Sequence, residues 1–165
     1  MNLTFDKVEK YIGTKAYSSG AIQFDLPNVE SFAKRYVTAY EIRKAKDILD
    51  AHYITLRTDL LYDFKETLSV FLETKKRNYI TCSIKGFQGL DEIRNDWLIA
   101  IDMEKEYNEL KDKGESNLDD LFKILYAKRD IEEELLHAIS IIEKIETYIK
   151  KRLEEIKKII EPLLK

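Results

Sequence analysis

Glu134 and His137 stand three residues apart, a spacing that places a carboxylate and an imidazole on one face of a helix, as carboxylate-bridged metal bundles require. A complete site of that kind needs a second such pair and two further carboxylates. The other histidine, His52, has Leu49 where the matching glutamate would stand, so the ligand set is incomplete. Glu106 and Glu109 supply half of a magnesium-holding acidic pattern. The second half is missing, because Glu132, Glu133 and Glu134 are followed three residues on by Leu135, Leu136 and His137. Cys82 lies in an apolar, alternating run, the setting of an inert core thiol rather than an activated one. There is no Gly-x-Ser-x-Gly, and five scattered glycines build neither a phosphate-cradling loop nor a dinucleotide fingerprint. The sequence therefore assigns no catalytic residue, no metal and no cofactor, and it reads as a non-enzyme.

One constellation points to binding. Lys34, Arg35, Arg43, Lys44 and Lys46, opposed only by Glu41, form a basic stretch interleaved with Tyr36 and Tyr40, and Lys75, Lys76 and Arg77 form a second basic cluster. Cations at this density neutralise phosphates, and a tyrosine beside them can stack on a base. The wet side of an amphipathic helix and its basic last turn would show the same residues.

These side chains must be held by elements that the apolar spacing outlines. Gly13, Ser18, Ser19, Gly20 and Pro27 punctuate the start, predicting a short helix over 3–12, then a loop with a strand-like run at 21–24. Asn28 is an N-cap directly after Pro27, and Val29, Phe32, Ala33, Tyr36, Val37, Tyr40, Ala45, Ile48 and Leu49 recur three or four apart, predicting a helix over 28–52. The β-branched stretch 53–57 reads as a break or a short strand. Thr58 then caps a helix over 58–77, although Leu68, Val70 and Leu72 also alternate as a strand would. Residues 79–84 alternate Ile80, Cys82 and Ile84 with Tyr79, Thr81 and Ser83, which predicts a half-buried strand. If 67–84 is a hairpin, the arrangement becomes winged-helix-like.

Helical spacing returns over 90–113 and ends at Gly114; Ser116 and Asp119 open a last helix over 117–161 that no Gly or Pro interrupts. At 1.5 Å per residue that helix is about 65 Å long, against about 36 Å for its predecessor. Along it, Leu135, Ala138, Ile142, Ile145 and Ile149, then Leu153, Ile156, Ile160 and Leu163, trace a heptad-like seam with one shift of phase. About eight Ile and Leu side chains left in water would cost on the order of 10 kcal/mol, so the seam demands a cover.

The whole chain has 165 residues, 36% charged and 44% hydrophobic, with two Pro, a composition of one ordered helix-rich domain rather than a disordered chain. Its net charge of −3 hides an acidic middle: residues 87–137 carry 7 basic and 15 acidic groups, whereas 1–86 carry 14 and 11. Met1 to Ile12 include Asp6, Lys7, Glu9 and Lys10, which excludes a secretory signal there, and a single cysteine suits a reducing, cytoplasmic setting without a membrane. The expected fold is all-α, an antiparallel helical bundle with a long C-terminal coiled-coil-like helix and a minor β element around 53–57 and 79–84. Its expected organisation is an N-terminal, mainly helical module over 1–86 and a helical hairpin over 87–165. Two functions fit. The first is an interaction or assembly protein that forms a homo-oligomer, most simply a dimer, or takes a helical protein partner, through Leu135, Ile142, Ile145, Ile149, Leu153, Ile156, Ile160 and Leu163. The second is a nucleic-acid-binding protein using the basic helix and the 75–77 cluster.

Overall fold

The computed structural model describes residues 3–10, 21–33, 37–64, 68–73, 78–84, 90–114 and 117–164. Among these described residues five α-helices and three strands follow in the order α1 (Phe5–Val8), β1 (Ala21–Asp25), α2 (Val29–Phe32), α3 (Ala39–Asp63), β2 (Leu68–Glu73), β3 (Tyr79–Ile84), α4 (Leu90–Asp112) and α5 (Leu118–Ile160). A 3-10 turn, Glu161–Leu163, follows α5, with Pro162 inside it. The architecture is mostly helical but mixed, and the expectation of an all-α bundle is corrected by an antiparallel three-stranded sheet of order β1-β3-β2. The chain forms two compact units, one of Met1–Gly20 with Phe87–Ile142, the other of Ala21–Gly86 with Glu143–Lys165.

In the second unit β3 is the central strand. Ile22 and Phe24 of β1 pair with Cys82 and Ile80, and Leu68, Val70 and Leu72 of β2 pair with Ile84, Cys82 and Ile80. Ile22, Phe24, Leu68, Val70, Ile80, Cys82 and Ile84 are buried, so one face of the sheet is core. The expected helix over 58–77 therefore ends at Asp63, and its second half is β2. Leu68 and Leu72 fit either period, and pairing along the whole of β3 decides for the strand.

The expected helix over 28–52 is two helices. Asn28 does cap α2, accepting from the Ser31 N–H at 3.1 Å, but α2 stops at Phe32 and Thr38 opens a new helix. The break or strand expected at 53–57 is absent: Tyr53 and Leu56 continue a buried stripe with Ala45, Leu49 and Leu60, stepping by four, four, three and four along α3. Thr58 is internal to α3, its hydroxyl donating to the Ile54 carbonyl at 3.0 Å. Tyr53 reaches back to donate to the Pro27 carbonyl, and burial first of all pushes its phenol above its ordinary pKa. At the far end of α3, Tyr148 of α5 donates to the Asp63 carboxylate while its ring meets the edge of Phe64.

In the first unit, α4 and the early part of α5 are joined through Gly114, whose φ of 73° suits a residue without a side chain. Asn117 starts α5 by accepting from the Asp119 N–H at 3.0 Å. The Lys128 ammonium donates to Glu104 across the two helices. Phe5 of α1 stacks on Trp97 at 6.4 Å, and Glu9 pairs with Arg94 at 3.5 Å. The helix expected over 3–12 is found as α1, whereas those expected over 90–113 and 117–161 match α4 and α5 to within a residue. Among the described residues no helix is long and apolar enough to cross a membrane.

Of the seam on α5, Leu135, Ile142, Ile145, Ile149, Ile156 and Ile160 are buried within the single chain, and Leu153 and Leu163 are half-buried. The cover demanded by the apolar edge is thus supplied by the chain itself. Self-association through this seam would have to displace that cover. Ile156→Ala is expected to lower the unfolding free energy by about 2–5 kcal/mol, and Ile159→Ala, on the exposed side, by less than about 0.5 kcal/mol. Urea denaturation at two protein concentrations should give one midpoint for the native chain; a midpoint that rises with concentration would show that a second copy covers the seam.

Candidate nucleic-acid interface

The candidate interface begins at the cap of α3. The Thr38 hydroxyl accepts from the Glu41 N–H at 3.3 Å, and the Glu41 carboxylate accepts from the Thr38 N–H at 2.8 Å and its hydroxyl at 2.9 Å. This reciprocal box satisfies amides that the first helical turn leaves without partners. The Thr38 N–H is the main reason that the Glu41 carboxyl titrates below its ordinary value.

From that cap the buried stripe fixes how α3 is turned. Ala45 and Leu49 point into the core, so Tyr40, Arg43, Lys44 and Lys46 lie in water, Tyr40 being 72% exposed. Among the described residues no hydrogen bond or ion pair engages these four side chains. Asp47 is also exposed and lies one helical turn beyond Arg43. Of the other basic and aromatic candidates, Lys34, Arg35, Tyr36, Lys75, Lys76 and Arg77 lie outside the described residues. Lys75, Lys76 and Arg77 fall in the sequence that links β2 to β3, whose last and first residues, Glu73 and Tyr79, pair with each other.

The sheet backs this helix. α3 packs on β2, and Arg57 donates from Nε to the Val70 carbonyl at 3.2 Å. Leu26 donates its N–H to the Asn78 carbonyl at 2.6 Å, which ties the segment before α2 to the start of β3. On the outer face of β2, Phe71 is 60% exposed. The residues missed by spacing alone are Thr38 and Asp47. A Thr-x-x-Glu box was there to read, but it sat within an unbroken helical pattern.

No protein-family model, curated protein or solved structure matches this chain.

The other chemical candidates separate. Glu134 and His137 are exposed on α5, His52 is half-buried in α3, and no cluster of three potential metal ligands occurs among the described residues. Glu106 borders a cleft of about 340 Å³ between α4 and α5 with Met103, Tyr107, Leu110, Asp120, Lys123 and Ile124, whereas Glu109 is only exposed. Cys82 is fully buried in β3, and burial pushes its thiol up to about 12, so the thiolate that a nucleophile requires is scarce at neutral pH.

Two outcomes follow from these geometries. Cys82 should resist a disulfide-exchanging reagent at about pH 8 in the folded protein and react fully after unfolding; rapid native labelling would contradict its burial. The Glu41 carboxyl has a lowered folded pKa, so its stabilisation is complete above the unfolded carboxylate value of about 4.3 and is lost as pH falls through the folded value. The stability gap between the native chain and Glu41→Ala, read by thermal unfolding, should therefore narrow on acidification and not widen.

Proposed function

We propose that this protein binds double-stranded DNA, inserting the first turns of α3 into the major groove and laying the β2–β3 hairpin against the flanking backbone. The observation that carries this reading is the connectivity. A short helix, α2, leads into a capped helix with a basic exposed face, and an antiparallel hairpin follows directly. With β1 completing the sheet in the order β1-β3-β2, this is a winged-helix-like arrangement.

The physical fit supports it. An α-helix with its side chains is about 10–12 Å across, close to the roughly 12 Å width of the major groove. Among the described residues nothing pairs with Arg43, Lys44 or Lys46, so contact with phosphates breaks no ion pair there. The N-terminal end of α3 adds the positive end of its dipole. The acidic 87–137 segment would keep the polyanion away from α4 and the early part of α5.

Fluorescence anisotropy on a labelled duplex of roughly 20 base pairs, between about 50 and 200 mM salt, checks the reading. Binding should weaken steeply with salt. The triple variant Arg43→Ala, Lys44→Ala, Lys46→Ala should keep its circular dichroism spectrum, lose affinity by more than about tenfold, and show a salt slope shallower by about 2–3. No duplex binding by the native chain at about 50 mM salt would dismiss the reading.

A further inference from the structure

α3 carries an acid where a purely phosphate-binding surface would have none. Tyr40, Arg43, Lys44 and Asp47 share the exposed side of its first turns, opposite Ala45 and Leu49. A carboxylate facing the groove is repelled by phosphates on both sides, so in a surface that binds only backbone it lowers affinity. An Arg and an Asp four residues apart can also close on each other, which would make the acid a mere counter-charge. Here no ion pair joins Arg43 to Asp47, and neither is engaged by another described residue.

We infer that Arg43 and Asp47 are the specificity-determining pair of this interface and read neighbouring G·C base pairs; the inference rests on the duplex-binding reading above. The chemistry of the groove selects the two contacts. A guanidinium donates in a fork to O6 and N7 of guanine, and a carboxylate accepts from the N4 amino group of cytosine, a donor that thymine lacks. Four residues of helix advance about 6 Å, against about 3.4 Å per base pair, so the two side chains reach base pairs one or two steps apart. Farther along the same side the exposed residues are Ala51, Ile54, Thr55, Thr58 and Tyr62, none of them charged, and the next acid, Asp50 at the edge beside Arg43, is half-buried, so the exposed charged readout falls in the first turns of α3. Lys44 and Lys46 flank the pair and suit phosphate contact, which positions the helix without selecting sequence.

Selection from a duplex library with a randomised centre tests the pair, run with the native chain, Arg43→Ala, Asp47→Ala and Asp47→Asn. The native chain should enrich a motif with a guanine and a cytosine one or two steps apart. Arg43→Ala should lose the preference at the guanine, by about five- to a hundredfold. Asp47→Ala should relax the cytosine position while binding unselected duplex more tightly than the native chain does, and Asp47→Asn should move that position toward adenine, whose N6 and N7 suit an amide. A merely structural Asp47 would leave the motif unchanged in both Asp47→Ala and Asp47→Asn, and that result overturns the inference, as does duplex binding with no G·C preference. Failure of the native chain to bind any duplex would remove the underlying reading, and this inference with it.

Discussion

The interaction on which the rest of the second unit depends is the pairing of β3 along both of its edges. Ile80, Cys82 and Ile84 sit on its inner face while β1 and β2 occupy its two sides, so the strand cannot slip by one residue without turning its whole apolar set toward water. With that register fixed, β2 presents Leu68 and Val70 to the core, and α3 packs on it, with Arg57 donating to the Val70 carbonyl. The helix has one rotation that buries Ala45, Leu49, Tyr53, Leu56 and Leu60 together. Each residue turns the helix by about 100°, so the same rotation decides that Arg43 and Lys44 meet solvent. The display of charge is a consequence of the sheet.

The two anchors of α3 act on different ends. At its start the reciprocal bonds of Thr38 and Glu41 halt fraying where the basic residues stand, and at its end Phe64 and Asp63 are held by Tyr148. The Tyr148 phenol titrates above its ordinary value chiefly because its bond to the Asp63 carboxylate favours the protonated form. A side chain reading a base edge must hold its place to within a fraction of an ångström, and a helix fixed at both ends meets that demand better than a loop does.

Parts of this were legible in the residues themselves. α4 and α5 announced themselves by long helical spacing that neither Gly nor Pro broke, and the Ile80-Cys82-Ile84 alternation identified β3. β2 was not decidable locally, since Leu68 and Leu72 satisfy a helix as well as a strand; only pairing with β3, a non-local event, separates the two. The gap between α2 and α3 was hidden because Ala33, Tyr36 and Val37 fill the helical spacing across it, outweighing the cap at Thr38. The spacing on α5 outlines an apolar edge but cannot say what covers it, and the chain buries Ile142, Ile145, Ile156 and Ile160 itself. Arg43, Lys44 and Lys46 stand out as a basic run; Asp47 does not, because an acid among bases reads as ordinary charge compensation until it is seen that no described residue pairs with it.

On the proposed reading, α3 is rolled so that Tyr40, Arg43 and Lys44 meet a duplex. Chemical-shift mapping by NMR during titration with duplex DNA tests this most directly. Perturbed signals are expected to concentrate at residues 39–47 and on β2 and β3, with Met103, Phe122 and Tyr126 unmoved. Shifts centred on α4 and the early part of α5, with 39–47 silent, would contradict it.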